Sequence, residues 1–401
     1  MAGQAGLTDF FESFLKKESI FLDKKALQQN YAPKVIPHRQ TQINQLAGVL
    51  APALRKEKPS NMFCYGKTGT GKTVVTQYVL QKLIESAASR AIPLKTIYVN
   101  CKLKKIADTE YRIIAELARA LGKAVPSTGL PTDEVYNLFL TAIDETEQTI
   151  IFVLDEIDRL VDRAGDEILY NLTRINSSLK KSQVSIVGIS NDTRFLENID
   201  PRVKSSLGEE EIIFAPYNAM ELKEILEERA KLAFKTDVLT EGVLEKCSAY
   251  AAREHGDARR AIDLLRVASE TAERENSSRI TPEHIDKAED RIEKDRVLEI
   301  VAVQPKQSQA VFMAILEMPA TAKIETGEVY DKYKGICNAA GFGPLTQRRV
   351  SDLIGELDML GLINAKVISK GRGGRTRQIY LTISDELGSK LKDKLKEELG
   401  V

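Results

Sequence analysis

In the stretch CYGKTGTGKTVV, Cys64 to Val75, Gly66, Gly69 and Gly71 lead directly into Lys72 and Thr73. The spacing is G-x-x-x-x-G-K-[ST], and it suits one kind of chemistry, the holding of a chain of phosphates. Glycines let successive backbone N–H groups, here those of Gly66, Lys67, Thr68, Gly69, Thr70 and Gly71, turn inward as an anion nest. A helix that starts there adds the positive end of its dipole. Lys72 brings an ammonium to the β- and γ-phosphates, and the Thr73 hydroxyl is a ligand for Mg²⁺. Such a cradle needs a strand before it and a helix after it. NMFCY (61–65) and VVTQYVLQKLIESAA read as those two elements. A glycine-rich turn with no ligand is the competing reading, and the flanking strand and helix argue against it.

A second half of the site is expected at the end of a neighbouring strand, and TIIFVLDEID (149–158) supplies it. Its apolar run delivers Asp155 and Glu156 to the carboxyl end of a buried strand, where ligands sit in open α/β sheets. Asp155 is expected to hold Mg²⁺, directly or through water. Glu156 is expected to polarise an attacking water as general base. Asp158 is expected to cap the following helix.

These residues need a scaffold, and the pattern along the chain provides one. NMFCY, TIYVN (96–100), TIIFVLDEID, VSIVGIS (184–190) and EIIFAPY (211–217) read as strands. Apolar runs without alternation fit strands buried on both faces of a parallel sheet. Helical patterns alternate with them, which makes a layered α/β domain. From Asn218 to about Arg296 the pattern is helical only, with starts marked by Thr281-Pro282 and by Gly256-Asp257. VAVQP then reads as a short hinge. The expected division is an N-terminal extension (1–30), a nucleotide-binding domain (31–217), a helical lid (218–300) and a last domain (301–401). Within the extension, Leu7, Phe10, Phe11, Phe14 and Leu15 have helical spacing and suit a docking helix or a partner-binding one.

The last domain reads as helices followed by a glycine-tipped hairpin, AKVISKGRGGRTRQIYLTI. In TQRRVSDLIGELDMLGLI, Thr346 caps a helix whose core stripe is Val350, Leu353, Ile354, Leu357 and Leu360. Gln347, Arg348, Arg349 and Ser351 stand at its N-terminal end, the part that meets base edges when a helix enters a major groove. From Met359 to Ser384 no acid occurs, while Lys366, Lys370, Arg372, Arg375 and Arg377 are cations. This is the pattern of a winged helix-turn-helix that binds duplex DNA, with phosphate contacts on the wing. The bland alternative is a solvated charged loop.

Composition bounds the rest. The 401 residues carry 58 basic and 58 acidic side chains, so net charge selects no partner. Four cysteines and three histidines lie far apart, which argues against a disulfide framework or a zinc site. No apolar run reaches membrane-spanning length, and the acid-bearing first residues do not read as a signal peptide. A membrane role is not expected.

The phosphate motif, then LDEID, VGISND and GDARRAIDLLR, resembles the AAA+ ATPases. With YAPKVIPHRQTQINQL (31–46) and FAPYNAMELKEILEERAKLAF, the chain closely resembles the archaeal origin-recognition and cell-division-control replication initiators, over nearly its whole length after about residue 20. The resemblance implies an α/β AAA+ P-loop domain with a parallel sheet of order 5-1-4-3-2, extra helices between Asn100 and Thr149, an all-α lid and a C-terminal winged helix. It places Asn191 at sensor 1 and Arg259 at sensor 2, with Arg260 the runner-up. It sets Val35, Ile36, His38 and Arg39 near the adenine, and makes Tyr217 and Arg229 lid contacts to the nucleotide. On the residues alone, Asn191 also suits a turn cap, Arg259 a surface ion pair and Tyr217 a core aromatic.

The activity so implied is slow Mg²⁺-dependent ATP hydrolysis, with ATP and ADP marking two states. The implied partners are duplex origin DNA, which is bound and distorted, and the replicative helicase, which is loaded. A monomer in solution that assembles on DNA, in the cytoplasm at the nucleoid, follows from the same likeness. One departure concerns the arginine finger: DPRVKSSLG carries Ser205-Ser206 where eukaryotic relatives carry a Ser-Arg pair, leaving Arg202 as the nearby arginine. Two rivals remain. A clamp-loader-like remodelling ATPase needs an intact finger and no basic winged tail. An ATP-sensing winged-helix transcription regulator shares the duplex DNA and is disfavoured by the inserted helices and the opening box.

Overall fold

The computed structural model describes residues 18–28, 31–102, 109–126, 129–207, 209–319, 324–369, 375–383 and 385–401. Two compact units divide the chain, Met1–Ile285 and Asp286–Val401. The apolar helix pattern over Leu7–Leu15, the 320–323 segment and the wing tip with Lys370 and Arg372 lie outside the described residues.

Five parallel strands organise the first unit: β1 (Met62–Tyr65), β2 (Leu94–Asn100), β3 (Thr149–Asp155), β4 (Gln183–Ser190) and β5 (Glu210–Ile213). Their order is β2-β3-β4-β1-β5, the 5-1-4-3-2 arrangement that the resemblance implied. All seven residues of β3 are buried, which accounts for its unbroken apolar run. Alternation sorts them. Ile150, Phe152 and Leu154 pack with Leu117 and Phe139 of the inserted helices Glu110–Ala120 and Thr132–Ile143. Ile151 and Val153 pack on the other face with Val75, Val79 and Leu83 of the helix Lys72–Ala88. Asp155 has the parity of Ile151 and Val153, so β3 carries it toward the helix that begins at Lys72.

The lid begins at Asn218, whose side chain and Glu221 close a capping box on the helix Ala219–Ala233. Helices Val243–Arg253 and Ala258–Arg274 follow, separated by Gly256 and Asp257 as the sequence suggested. The next helix, Pro282–Ala302, takes in the first two residues of VAVQP. The break falls at Val303–Pro305, where Pro305 caps the helix Lys306–Leu316.

The second unit packs helices Lys306–Leu316, Thr326–Ala339, Gln347–Met359 and Asp385–Leu399 with three antiparallel strands: β6 (Ile324–Glu325), β7 (Ile363–Ser369) and β8 (Arg375–Leu381), ordered β6-β8-β7. Phe312, Tyr333, Ile354, Ile379 and Leu391 lie in its core. Helices followed by a β7–β8 hairpin make a winged helix. Val350, Leu353, Ile354 and Leu357 are buried as expected, but Leu360 is 38% exposed. Leu360 is the C-cap residue, past the last full turn, so the helical stripe no longer governs it.

Candidate functional site: a nucleotide cradle

The cradle begins where β1 ends. Gly66, Gly69 and Gly71 all have positive φ. At Gly69, with φ +69°, an added Cβ would stand 1.6 Å from Asp257 Oδ1. Any other residue there must hold a left-handed backbone and displace the Asp257 carboxylate. Lys72 opens its helix and is 5% exposed. Its Nζ donates to the carbonyls of Gly66 at 2.8 Å and Lys67 at 2.7 Å. Burial lowers its pKa to about 8, although nearby Asp155 acts to raise it.

Asp155 stands opposite, also 5% exposed. Its Oδ2 accepts from Thr73 Oγ1 at 2.8 Å and from the Tyr98 hydroxyl at 2.5 Å, and its Oδ1 accepts from the Glu156 backbone N–H at 2.9 Å. Glu156 adopts a left-handed conformation, φ 54°, an uncommon choice for a side-chain-bearing residue. Asp158 does not cap the next helix. Glu156 occupies the N-cap position, and Asp158 lies inside the first turn, where it accepts from Ser190 Oγ at 2.7 Å.

A cavity of about 670 Å³ opens over this group. Gly69, Gly71, Lys72, Thr73, Asp155, Glu156 and Asn191 line its core side, and Arg259, Tyr217 and Arg229 its lid side. Val35 and Ile36 line it as well. Of the expected ligand contacts, Gly66, Lys67, Thr68, Thr70, His38 and Arg39 are not among the lining residues. Thr70 turns inward, donating to Lys67 O at 2.8 Å. Lys67 reaches His255 Nδ1 at 3.3 Å. Arg39 is buried behind the loop: it donates to Thr70 O at 2.9 Å and Ala215 O at 2.6 Å, and stacks on the Tyr217 ring at 3.7 Å. It braces the cradle from the rear. His38 Nε2 lies 2.9 Å from the Glu224 carboxylate.

The lid touches the cradle directly. Asp257 caps its helix by accepting from the Arg259 N–H at 2.7 Å, and the Ala258 N–H donates to Gly69 O at 3.1 Å. Arg259 thereby enters the cavity from a helix start fixed to the phosphate loop, whereas Arg260 pairs with Glu254 at 3.2 Å. Arg229 holds the segments 20–28 and 31–36, here called the strap. It donates to Ala26 O at 3.1 Å and Tyr31 O at 3.3 Å and lies over the Tyr31 ring at 4.5 Å. The strap is stitched to the lid by Leu22 N to Ala233 O at 2.8 Å, by Lys235 N to Ile20 O at 3.1 Å and by stacking of Phe21 on Phe234. It then feeds Tyr31, Pro33, Val35 and Ile36 into the cavity wall.

In the second unit, Gln347, Arg348 and Arg349 are exposed on the first turn after the Thr346 cap, with Ser351 partly covered. Arg349 pairs along its own helix with Glu356 at 3.3 Å. The Arg377 guanidinium lies over Gly355, whose lack of a side chain makes room for it. The Arg375 backbone pairs with Ser369 at the end of the hairpin.

Sequence reasoning missed Tyr98, Asn100 and Asp257, all of which border the cradle. The only available signal was parity: Tyr98 and Asn100 alternate along β2, and which strand β2 neighbours is a matter of topology.

Three family profiles match: "AAA domain" over residues 55–194, "Cdc6 AAA+ ATPase-type lid domain" over 223–290 and "CDC6, C terminal winged helix domain" over 299–387. The chain is 50% identical over 387 residues to an ORC1-type DNA replication protein of Pyrococcus abyssi, covering 95% of this chain and 92% of that one. It is 50% identical over 384 residues to ORC1-type DNA replication protein 1 of Methanosarcina mazei, at 95% and 92% coverage. Among solved structures, the Aeropyrum pernix Orc1 protein in complex with DNA superposes with a TM-score of 0.82 at 45% identity, covering 95% of this chain and 98% of the other. The chain belongs to the Orc1/Cdc6 family of DNA replication initiators, AAA+ ATPases with a helical lid and a C-terminal winged helix.

Proposed function

We propose that this protein marks replication origins by binding their duplex DNA, and that ATP and ADP set two states of that activity. The observation that carries the reading is the pairing, on one chain, of a lysine- and carboxylate-lined phosphate cradle with a winged unit whose recognition turn is exposed. The Aeropyrum pernix relative at 45% identity was solved on DNA, which supports the DNA half.

Lys72 leaves the loop carbonyls to pair with phosphate, and Arg259 meets the γ-phosphate from the lid. Thr73 Oγ1 and Asp155 Oδ2, 2.8 Å apart, form a hard oxygen pair that fits Mg²⁺. A bound Mg²⁺ held by these two residues would supply charge neutralisation for the phosphates. Glu156 polarises the attacking water and Asn191 orients it. Val35 and Ile36 flank the base. Ser205-Ser206, in place of the Ser-Arg pair of eukaryotic relatives, favours slow hydrolysis over rapid cycling in a ring. The exposed Gln347 and Arg348 read base edges, and the cations of the wing grip phosphates and help distort the duplex. Assembly of monomers on DNA, at the nucleoid in the cytoplasm, and loading of the replicative helicase complete the proposal.

The test is selection of genomic fragments by the purified protein in ATP and in ADP, with footprints on the fragments retained. A discrete repeated site, whose footprint weakens in Arg348→Ala, supports the reading. Uniform retention of all fragments overturns it.

A further inference from the structure

Three donors converge on the Asp155 carboxylate, and the motif logic of the site uses only one of them, Thr73. The second side-chain donor is Tyr98. Strands β2 and β3 run parallel with Asn100 level with Asp155. Tyr98 stands two residues earlier, on the same face of β2 as Asn100. From there its hydroxyl reaches Oδ2, the oxygen that also accepts from Thr73. The ring is 41% exposed along the cavity wall, whereas Phe152 on β3 is fully buried. What distinguishes Tyr98 on this wall is the hydrogen bond from its hydroxyl to Asp155.

We propose that Tyr98 is a positioning residue for divalent-metal capture, its hydroxyl fixing the Asp155 carboxylate in the orientation that lets Asp155 and Thr73 receive the ion together. The inference rests on the reading of this cavity as a Mg-nucleotide site. A carboxylate that turns freely must be ordered when metal arrives, whereas one already held does not. Partners behind a metal ligand typically change metal affinity by about 10–100-fold.

The test uses the full-length chain and a fluorescent ADP analogue. Affinity is measured first in chelator, then across a Mg²⁺ titration and a Mn²⁺ titration, for the wild type, Tyr98→Phe and Lys72→Ala. Tyr98→Phe keeps the ring and removes only the donor. Its metal-free affinity is expected to stay close to that of the wild type, while the Mg²⁺ midpoint of the affinity gain rises by about tenfold. An unchanged midpoint overturns the proposal. A fall in metal-free affinity with an unshifted midpoint also overturns it, since that is a purely structural role. If the wild type binds no nucleotide, or binds it as well as Lys72→Ala does, the underlying site reading fails instead.

Discussion

Burial holds the Lys72 ammonium at a pKa of about 8, and the carbonyls of Gly66 and Lys67 take its hydrogen bonds. The folded pKa lies below the ordinary value of 10.5, so the folded state binds fewer protons than the unfolded chain between those values. A charged Lys72 therefore costs stability below about pH 8, and the cost is relieved as pH rises through that window. Phosphate reverses the preference, because it needs the ammonium. Nucleotide affinity in metal-free buffer is expected to fall above pH 8, approaching about tenfold per pH unit. Lys72→Arg is expected to flatten the profile, since a guanidinium keeps its charge. Calorimetric titration from pH 7.5 to 9.5 checks both; a flat wild-type profile contradicts the account. For the neighbouring carboxylate, Glu156→Gln is expected to retain ATP while single-turnover hydrolysis slows by about 10²–10⁴-fold. Normal turnover in that variant removes Glu156 from the role of base. At this scale the short motif placed Gly69, Gly71, Lys72 and Thr73 on the cavity wall, whereas Gly66, Lys67, Thr68 and Thr70, expected from the same motif, do not line it. The sequence was least legible at Tyr98, which meets Asp155 across 57 residues of chain only because β2 and β3 are neighbours.

The strap and the lid extend the site beyond its motifs. The family likeness implied that Arg229 contacts the nucleotide. In the structure it lines the cavity and also holds Ala26 and Tyr31. Arg229→Ala is expected to loosen the wall formed by Tyr31 to Ile36 and to speed nucleotide dissociation on the order of tenfold, the scale of one charge-assisted hydrogen bond. Stopped-flow displacement of a fluorescent nucleotide measures it, and an unchanged off-rate detaches the strap from ligand retention. Gly69 ties lid to cradle through Asp257. Gly69→Ala must adopt a left-handed backbone and displace that carboxylate, so a loss of at least about 1–2 kcal/mol is expected in urea unfolding. The strands themselves were readable as apolar runs. Their order was not, because buried strands carry no mark of their neighbours, and it came from family likeness. Asp158 and Leu360 were misplaced because helix ends are legible only to within a residue or two: Glu156 is the N-cap and Leu360 the C-cap.

Over the whole molecule, the proposed function assigns nucleotide to one unit and DNA to the other. The acid-free run from Met359 to Ser384 predicts binding that weakens steeply with salt, because each neutralised phosphate releases counterions. Arg377→Ala is expected to lower the slope of log affinity against log salt by about 1 without changing site preference. Gln347→Ala with Arg348→Ala is expected to blur the preference instead. The central claim, that this chain marks replication origins, is tested most directly inside the cells that carry it. Its genome-wide occupancy is mapped by crosslinking and sequencing, alongside the copy-number profile that locates replication starts. The account predicts sharp occupancy at the copy-number maxima, lost when Gln347 and Arg348 are both alanine. Occupancy confined to promoters away from those maxima, or spread evenly over the chromosome, contradicts it.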